Sequence, residues 1–232
     1  MGILSGIFDN RRSGSLSSRM RRRRFQLPLR LIQSLIRDGD GSVEVLDLGG
    51  TQHYWESMGA ADLPGLRVTL LNLDPMEAGR PNFSSVQGDA RDLEAYGDKQ
   101  FGLVFSQSCI EHVGCFEDQE RMAREVGRVG VWYYVQAPYR YFPVEPHFLF
   151  PGFQFLPLSL RAWLHSRFRL GWMGRAVSYA EARKACEEVR LPSIRAMKRL
   201  FPDAVVVRER FFGLVKSLAA VRCPAELLRN RA

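Results

Sequence analysis

The stretch VEVLDLGG, Val43 to Gly50, constrains the fold more than any other part of the chain. It is a short, mostly apolar run, bounded by DGDGS on one side and a glycine pair on the other. That length suits a buried strand and is too short for a helix of ordinary size. The rhythm then recurs in LRVTLLNLD (66–74), SSVQGD (84–89), FGLVFSQ (101–107) and VGVWYYVQAP (129–138). Helical or irregular pieces lie between, the clearest being EDQERMAREVGRV (117–129). Strands that alternate with crossovers predict a parallel sheet covered on both faces. Each of the first four ends in a polar residue, and the carboxyl edge of such a sheet is where ligands bind.

The rest of the chain fits around this sheet. FQLPLRLIQSLIR, Phe25 to Arg37, has apolar residues near helical spacing and predicts an amphipathic helix packed on the domain. From Tyr139 to Pro192 the chain is rich in Pro, aromatic residues and Arg, which predicts an insertion that forms a lid. AVVVRER and GLVKSLAAV then predict a closing antiparallel hairpin with a tight turn near Phe212 and Gly213. The expected organisation is a flexible basic arm over 1–24, one domain over 25–222 with its insertion at 139–192, and a short tail over 223–232.

A chain of 232 residues with 46% hydrophobic content can bury one sizeable core. No apolar run approaches the roughly 20 residues that span a bilayer, and no signal-peptide pattern stands at the start. The reading therefore expects a cytoplasmic protein. Four cysteines, Cys109, Cys115, Cys186 and Cys223, show neither zinc spacing nor the density of a disulfide scaffold. The net charge is +8, and residues 1–30 hold eight Arg against one Asp, so nearly all of it belongs to the arm RRSGSLSSRMRRRR. Such an arm predicts contact with the phosphates of RNA or of anionic lipid at an inner membrane face, without a stable nucleic-acid complex.

Chemistry concentrates at the strand ends. Asp47 with Gly49 and Gly50 closes the first strand, Asp74 the second and Asp89 the third. A carboxylate at the second position can accept both hydroxyls of a ribose, and one at the third can accept from an adenine amine. These pieces resemble the class I S-adenosylmethionine-dependent methyltransferases, in the methyltransferase type 11-like group: VLDLGG, LLNLDP, VQGDARDL, FGLVFSQSCIEHVG and VWYYVQAPYRYFPVEPH follow in the right order. The resemblance implies a Rossmann-like α/β fold with a seven-stranded, mostly parallel sheet, an antiparallel terminal hairpin and a helical lid insertion. It also implies S-adenosyl-L-methionine as cofactor. Gly49, Gly50 and Thr51 would approach its methionine part, Asp74 its ribose, and Asp89 with Ala90 its adenine. Backbone around Ser106 would face the ammonium group, and Asp47 would organise the loop. The family's third glycine is missing here, where Thr51, Gln52 and His53 stand. A cofactor without a pyrophosphate demands less glycine than a dinucleotide does.

On the acceptor side, PYRYFPVEPHFLFP holds Glu145 and His147 on a segment stiffened by Pro143 and Pro146. Methylating a hydroxyl requires removal of its proton, and an imidazole suits that task. His147 is the candidate base, with Glu145 orienting it or binding a substrate hydroxyl. His112, Tyr139 and Arg140 are candidate substrate contacts, and no metal is expected. The expected reaction is O-methylation of a small-molecule or glycan-like acceptor, including a lipid-linked one. Two other readings stand beside it: a nicotinamide-dependent Rossmann oxidoreductase, against which the absence of G-x-G-x-x-G counts, and a non-catalytic RNA-binding module that works through the Arg arm.

Overall fold

A computed structural model describes residues 16–229. The expectation for residues 1–15 of the basic arm, and for the last three residues of the tail, lies outside the described residues. Helix α1 (Leu16–Asp38) is followed by β1 (Val43–Leu48), α2 (Gln52–Ser57), β2 (Leu66–Asn72), β3 (Phe83–Gln87), β4 (Phe101–Gln107), α3 (Phe116–Val129) and β5 (Gly130–Pro138). The lid then contributes β6 (Val144–Glu145), β7 (Phe150–Pro151), α4 (Leu158–Arg167) and α5 (Tyr179–Glu188). Helix α6 (Ile194–Leu200), the hairpin of β8 (Val205–Phe211) and β9 (Leu214–Arg222), and α7 (Ala225–Arg229) complete the chain.

The seven-stranded sheet runs in the order β3-β2-β1-β4-β5-β9-β8. The pairs among β1 to β5 are parallel, whereas β9 is antiparallel to both β5 and β8. The hairpin turns on Phe212 and Gly213, both at positive φ (47° and 81°), as a two-residue turn between twisted strands requires. The sheet reverses its direction of winding between β1 and β4, and that crevice is where the site forms.

The two faces of the sheet follow from strand alternation. Leu46, Leu48, Val104, Tyr133 and Val135 face α3 and α6, where Met122, Val126 and Met197 meet them. Val43, Val45, Leu103, Phe105 and Tyr134 face α1, where Phe25, Leu31 and Ile32 cover them. Full burial of each such side chain contributes about 1.5–3 kcal/mol, so these two layers hold the sheet edge rigid. Phe25 also makes edge-on ring contacts with Tyr54, Trp55 and Phe105, which fastens α1 beside the β1 loop.

Three boundaries differ from the sequence reading. Helix α1 starts at Leu16, so residues 16–24 belong to a helix and not to a flexible arm. Asp74 and Asp89 each lie two residues beyond their strands, because β2 ends at Asn72 and β3 at Gln87. Residues 225–229 of the expected tail form α7, with Leu227 and Leu228 packed against the α1 side of the core. No helix among the described residues is long and apolar enough to cross a membrane.

Candidate active site

The β1 loop is shaped by close approaches. Gly49 adopts φ +78°, and a Cβ there would also press on Cys109. At Gly50 a Cβ would fall 1.7 Å from Asp47 Oδ2, so only glycine lets the chain fold over that carboxylate. Thr51 caps α2 by accepting from the Tyr54 N–H at 3.3 Å. Asp47 is buried and accepts from Trp55 Nε1 at 2.8 Å, while its Oδ1 has no partner among the described residues. Burial pushes its pKa up to about 7 against the opposing effect of the Trp55 hydrogen bond.

A pocket of about 210 Å³ opens here, lined among others by Asp47, Gly49, Gly50, Thr51, Tyr54 and Gln107. The Tyr54 hydroxyl donates to Gln107 Oε1 at 2.6 Å, fixing the wall between α2 and the end of β4. The segment QHYW thus divides by role: Gln52 braces the loop through Glu56 and the Gly79 N–H, His53 is 90% exposed, Tyr54 lines the pocket and Trp55 is buried under it.

The other residues expected on the cofactor side stand near this loop. Asp74 is exposed and has no hydrogen bond or ion pair among the described residues. Asp89 is engaged by Arg91, whose Nε and terminal nitrogen lie 2.6–3.0 Å from its oxygens, and this contact holds its pKa below the ordinary value. Ala90 is buried. Ser106 is buried and donates to the Leu48 carbonyl at 3.2 Å, tying β4 to β1. Ser108 follows at φ +54°, a conformation costly for a residue with a Cβ, and its N–H donates to the Gln136 carbonyl at 2.9 Å.

Across the crevice, β6 and β7 pair so that Glu145 and His147 are held by backbone. Glu145 is buried, and its Oε2 accepts from the N–H groups of His147 (2.8 Å) and Phe148 (2.7 Å). Its Oε1 lies 2.7 Å from His147 Nδ1. His147 Nε2 lies 3.1 Å from Nε2 of His112, which stands in the short helical turn Ile110–His112. Burial alone would lower the His147 pKa, but the Glu145 carboxylate more than offsets this and raises it. For His112, desolvation and then His147 push the pKa down to about 4. Glu111 is fully buried with neither carboxylate oxygen hydrogen-bonded among the described residues, and burial pushes its pKa up to about 7. One ligand atom from each of Glu111, His112 and His147 lies within 4.8 Å of the others, a donor set with the chemistry to hold a metal ion.

His147 lines a second pocket of about 240 Å³ with Gln107, Ser108, Phe142, Trp172 and Lys216. Gln107 and Arg21 line both pockets, so the two meet there. Tyr139 and Arg140 are not brought to His147. Tyr139 packs against the core, and exposed Arg140 lines another cavity of about 450 Å³ between the lid and α3, which Glu145 also borders. Sequence reasoning missed Arg21 and Gln107, and left open whether Tyr54 flanks the cofactor, faces the substrate or packs. Gln107 carried a signal, since it is the polar end of β4; Arg21 did not, because it reaches the crevice only through the packing of α1.

Residues 46–130 match the family model described as "Methyltransferase domain". An uncharacterized protein of Mycobacterium tuberculosis is 29% identical over 90 residues, a segment covering 39% of this chain and 29% of that protein. The match thus spans less than a third of the curated relative. Among solved structures, a protein from Pyrococcus horikoshii OT3 aligns with TM-score 0.51 and 16% identity over 94% of this chain and 95% of that one. An S-adenosylmethionine-dependent methyltransferase from Archaeoglobus fulgidus aligns with TM-score 0.50 and 11% identity over 86% and 91%. These two likenesses show the fold. The unpartnered Asp47 oxygen at the pocket wall, which an ammonium group would satisfy, and the glycine-shaped loop both fit the cofactor of that family. Residues 46–130 thus match a methyltransferase domain, set in a fold shared with a solved S-adenosylmethionine-dependent methyltransferase.

Proposed function

We propose that the protein transfers a methyl group from S-adenosylmethionine to a hydroxyl of a small-molecule or glycan-like acceptor. The observation that carries this reading is the meeting of two pockets at Gln107 and Arg21, with the glycine loop on one side and the Glu145–His147 pair on the other. When bound, the cofactor supplies an electrophilic methyl group on sulfur.

The donor-side roles follow from what each residue has free. The buried, unpaired oxygen of Asp47 suits an ammonium group. Exposed Asp74 can accept two ribose hydroxyls. Arg91 occupies all the lone-pair sites of Asp89 through its backbone N–H, a shared Nε–H and a terminal N–H, so Asp89 accepts from an adenine amine, beside the backbone N–H of Ala90, only as the shared Nε contact yields one oxygen. Gly49, Gly50 and Thr51 admit the methionine chain, and the backbone around Ser106 borders it.

On the acceptor side, donation from His147 Nδ1 to Glu145 leaves a lone pair on Nε2. The acceptor's proton comes to rest on that nitrogen, and the imidazolium so formed is stabilised by the buried Glu145 carboxylate. His112 Nε2–H faces that lone pair at 3.1 Å, so His112 takes the acceptor's proton on Nδ1 as its own Nε2 proton passes to His147. A base held in this way supplies about 100- to 10,000-fold of the acceleration.

The test is incubation with methyl-labelled S-adenosylmethionine and an extract of the source cells, followed by mass spectrometry of the labelled product. Label on an oxygen of a hydroxylated small molecule or glycan supports the reading. Binding of a nicotinamide dinucleotide, with no affinity for S-adenosylmethionine, overturns it.

A further inference from the structure

The lid from Trp163 to Tyr179 is apolar and basic where a solvated segment would be mixed and polar. Of the four tryptophans, Trp163 and Trp172 are the exposed ones, and Phe168 and Met173 are exposed in the same stretch. Sixteen large apolar side chains are exposed among the described residues, and six of them fall between Trp163 and Tyr179. That is a concentration, whereas single scattered ones would need no explanation. Arg167, Arg169 and Arg175 also stand exposed there, with no ion pair among the described residues. No Asp or Glu occurs from Pro146 to Ala180. The acids beyond, on α5, are engaged: Glu181 accepts from the Val177 N–H at 2.8 Å, and Glu187 and Glu188 pair with Arg183 and Lys184. The acid before it, Glu145, is buried and held by His147 and Phe148.

This stretch is fixed to the site. Trp163 and Phe168 meet edge-on with ring centroids 6.1 Å apart. Leu170 and Gly174 exchange backbone hydrogen bonds at 2.7 and 3.1 Å, which puts Trp172 and Met173 on a tight turn. Phe168 and Trp172 are four residues apart, so the chain holds their Cα atoms within about 14 Å. The Trp172 N–H donates to the His147 carbonyl at 3.0 Å. Gly171, at φ +45°, lets the turn approach so closely that a Cβ there would fall 2.4 Å from the same oxygen. Half-exposed Trp172 also lines the pocket beside His147, with Phe142, Val144 and Leu149, so the patch runs into the mouth of that pocket.

We propose that this segment docks the protein on an anionic lipid bilayer, and that the acceptor hydroxyl belongs to a lipid head group that reaches His147 past Trp172. Indole rings settle at head-group level, where both the apolar body and the N–H are satisfied. Interleaved arginines lay their stems along the apolar surface and keep the guanidinium on lipid phosphates. An acidic protein would use the charges alone, and an RNA strand the charges and the rings, which leaves Met173 and 93% exposed Val177 without a role. A bilayer interface uses all of them. The acceptor half of the proposal rests on the methyltransferase reading, and the docking half does not.

The test sediments the full chain with vesicles of phosphatidylcholine, alone and mixed with phosphatidylglycerol, and repeats the mixture with brominated acyl chains that quench tryptophan fluorescence. Wild type is expected to bind the mixed vesicles in preference and to be quenched. Lid variants separate this surface from the arginines of α1, which also attract anionic lipid. Arg167→Gln combined with Arg169→Gln should weaken binding about 25-fold, roughly 5-fold for each charge removed. Phe168→Ser should weaken it about 10-fold through lost apolar burial. Trp163→Phe combined with Trp172→Phe should remove most of the quenching. Unchanged S-adenosylhomocysteine affinity in the Arg and Phe168 variants shows that they fold, since none of these residues lines the donor pocket. Label from methyl-labelled S-adenosylmethionine in the cell extract should enter the lipid fraction. Vesicle binding that is absent, indifferent to the anionic lipid, insensitive to the lid variants or unquenched overturns the docking, as does preference for a uridine oligonucleotide over vesicles. Absence of label from the lipid fraction overturns the lipid-borne acceptor. Failure of wild type to bind S-adenosylhomocysteine removes the methyltransferase reading and the acceptor half with it, while the vesicles still decide the docking.

Discussion

His112 and His147 meet edge to face, with Nε2 atoms 3.1 Å apart and ring planes at 90°. A single proton bridges such a pair, since His147 gives its other N–H to Glu145. The environments of the two rings push their pKa values apart: His112 falls to about 4, while His147 rises because of Glu145. A proton delivered to the pair therefore settles on His147, which is the asymmetry a base needs.

Removing that base should separate binding from turnover. His147→Ala is expected to leave S-adenosylmethionine affinity nearly unchanged and to slow turnover at least about 100-fold. In wild type, kcat/KM should rise with pH through an apparent pKa above 6.5, because the base works unprotonated and Glu145 raises its pKa. Glu145→Gln should shift that limb to lower pH. A profile that does not move with Glu145→Gln rules out the orienting role.

Metal ions compete with the proton for the same lone pairs. Glu111, His112 and His147 can together seize a divalent cation. A free base predicts that EDTA leaves turnover intact and that added zinc inhibits reversibly, less so in His112→Ala. Loss of activity in EDTA, restored by a metal, would instead assign the imidazoles to a cation.

The exposed carboxylate beyond β2 can be tested by binding alone. Asp74→Ala should weaken S-adenosylmethionine about 10- to 100-fold in calorimetry, the loss of a hydrogen-bonded charged group, with little change in stability. An unchanged affinity removes Asp74 from the ribose site.

Glu111 should make the protein less stable in alkali. Folding raises its pKa from 4.5 to about 7, so the folded state binds the proton more tightly than the unfolded chain does. That contribution is complete below the unfolded pKa and is lost as pH rises through about 7. Urea unfolding at about pH 5 and about pH 8 should show wild type losing about 2 kcal/mol more than Glu111→Gln between the two. Equal losses in the two proteins would mean that Glu111 is solvated or paired in solution.

The strands and their order of use were legible in the sequence because burial on both faces writes continuous apolar runs such as VEVLDL and FGLVF, and these need no distant partner to be recognised. Glu145 and His147 were legible for a related reason: two residues apart on a segment stiffened by prolines, they meet through local geometry. Asp47 and its glycines likewise reveal themselves by spacing. Contacts between distant segments were not legible. Arg21 reaches the crevice because Phe25 packs against Tyr54, Trp55 and Phe105; His112 meets His147 across 35 residues; and Tyr139 packs against the core. Sequence alone determined the α/β class, the glycine turn after β1 and the Glu145–His147 pair, because periodicity and short spacings are local properties of the chain. Tertiary structure decided which arginines leave the basic arm for the site and which imidazole keeps the proton, since both depend on side chains brought together only when α1 and the lid close over the sheet edge.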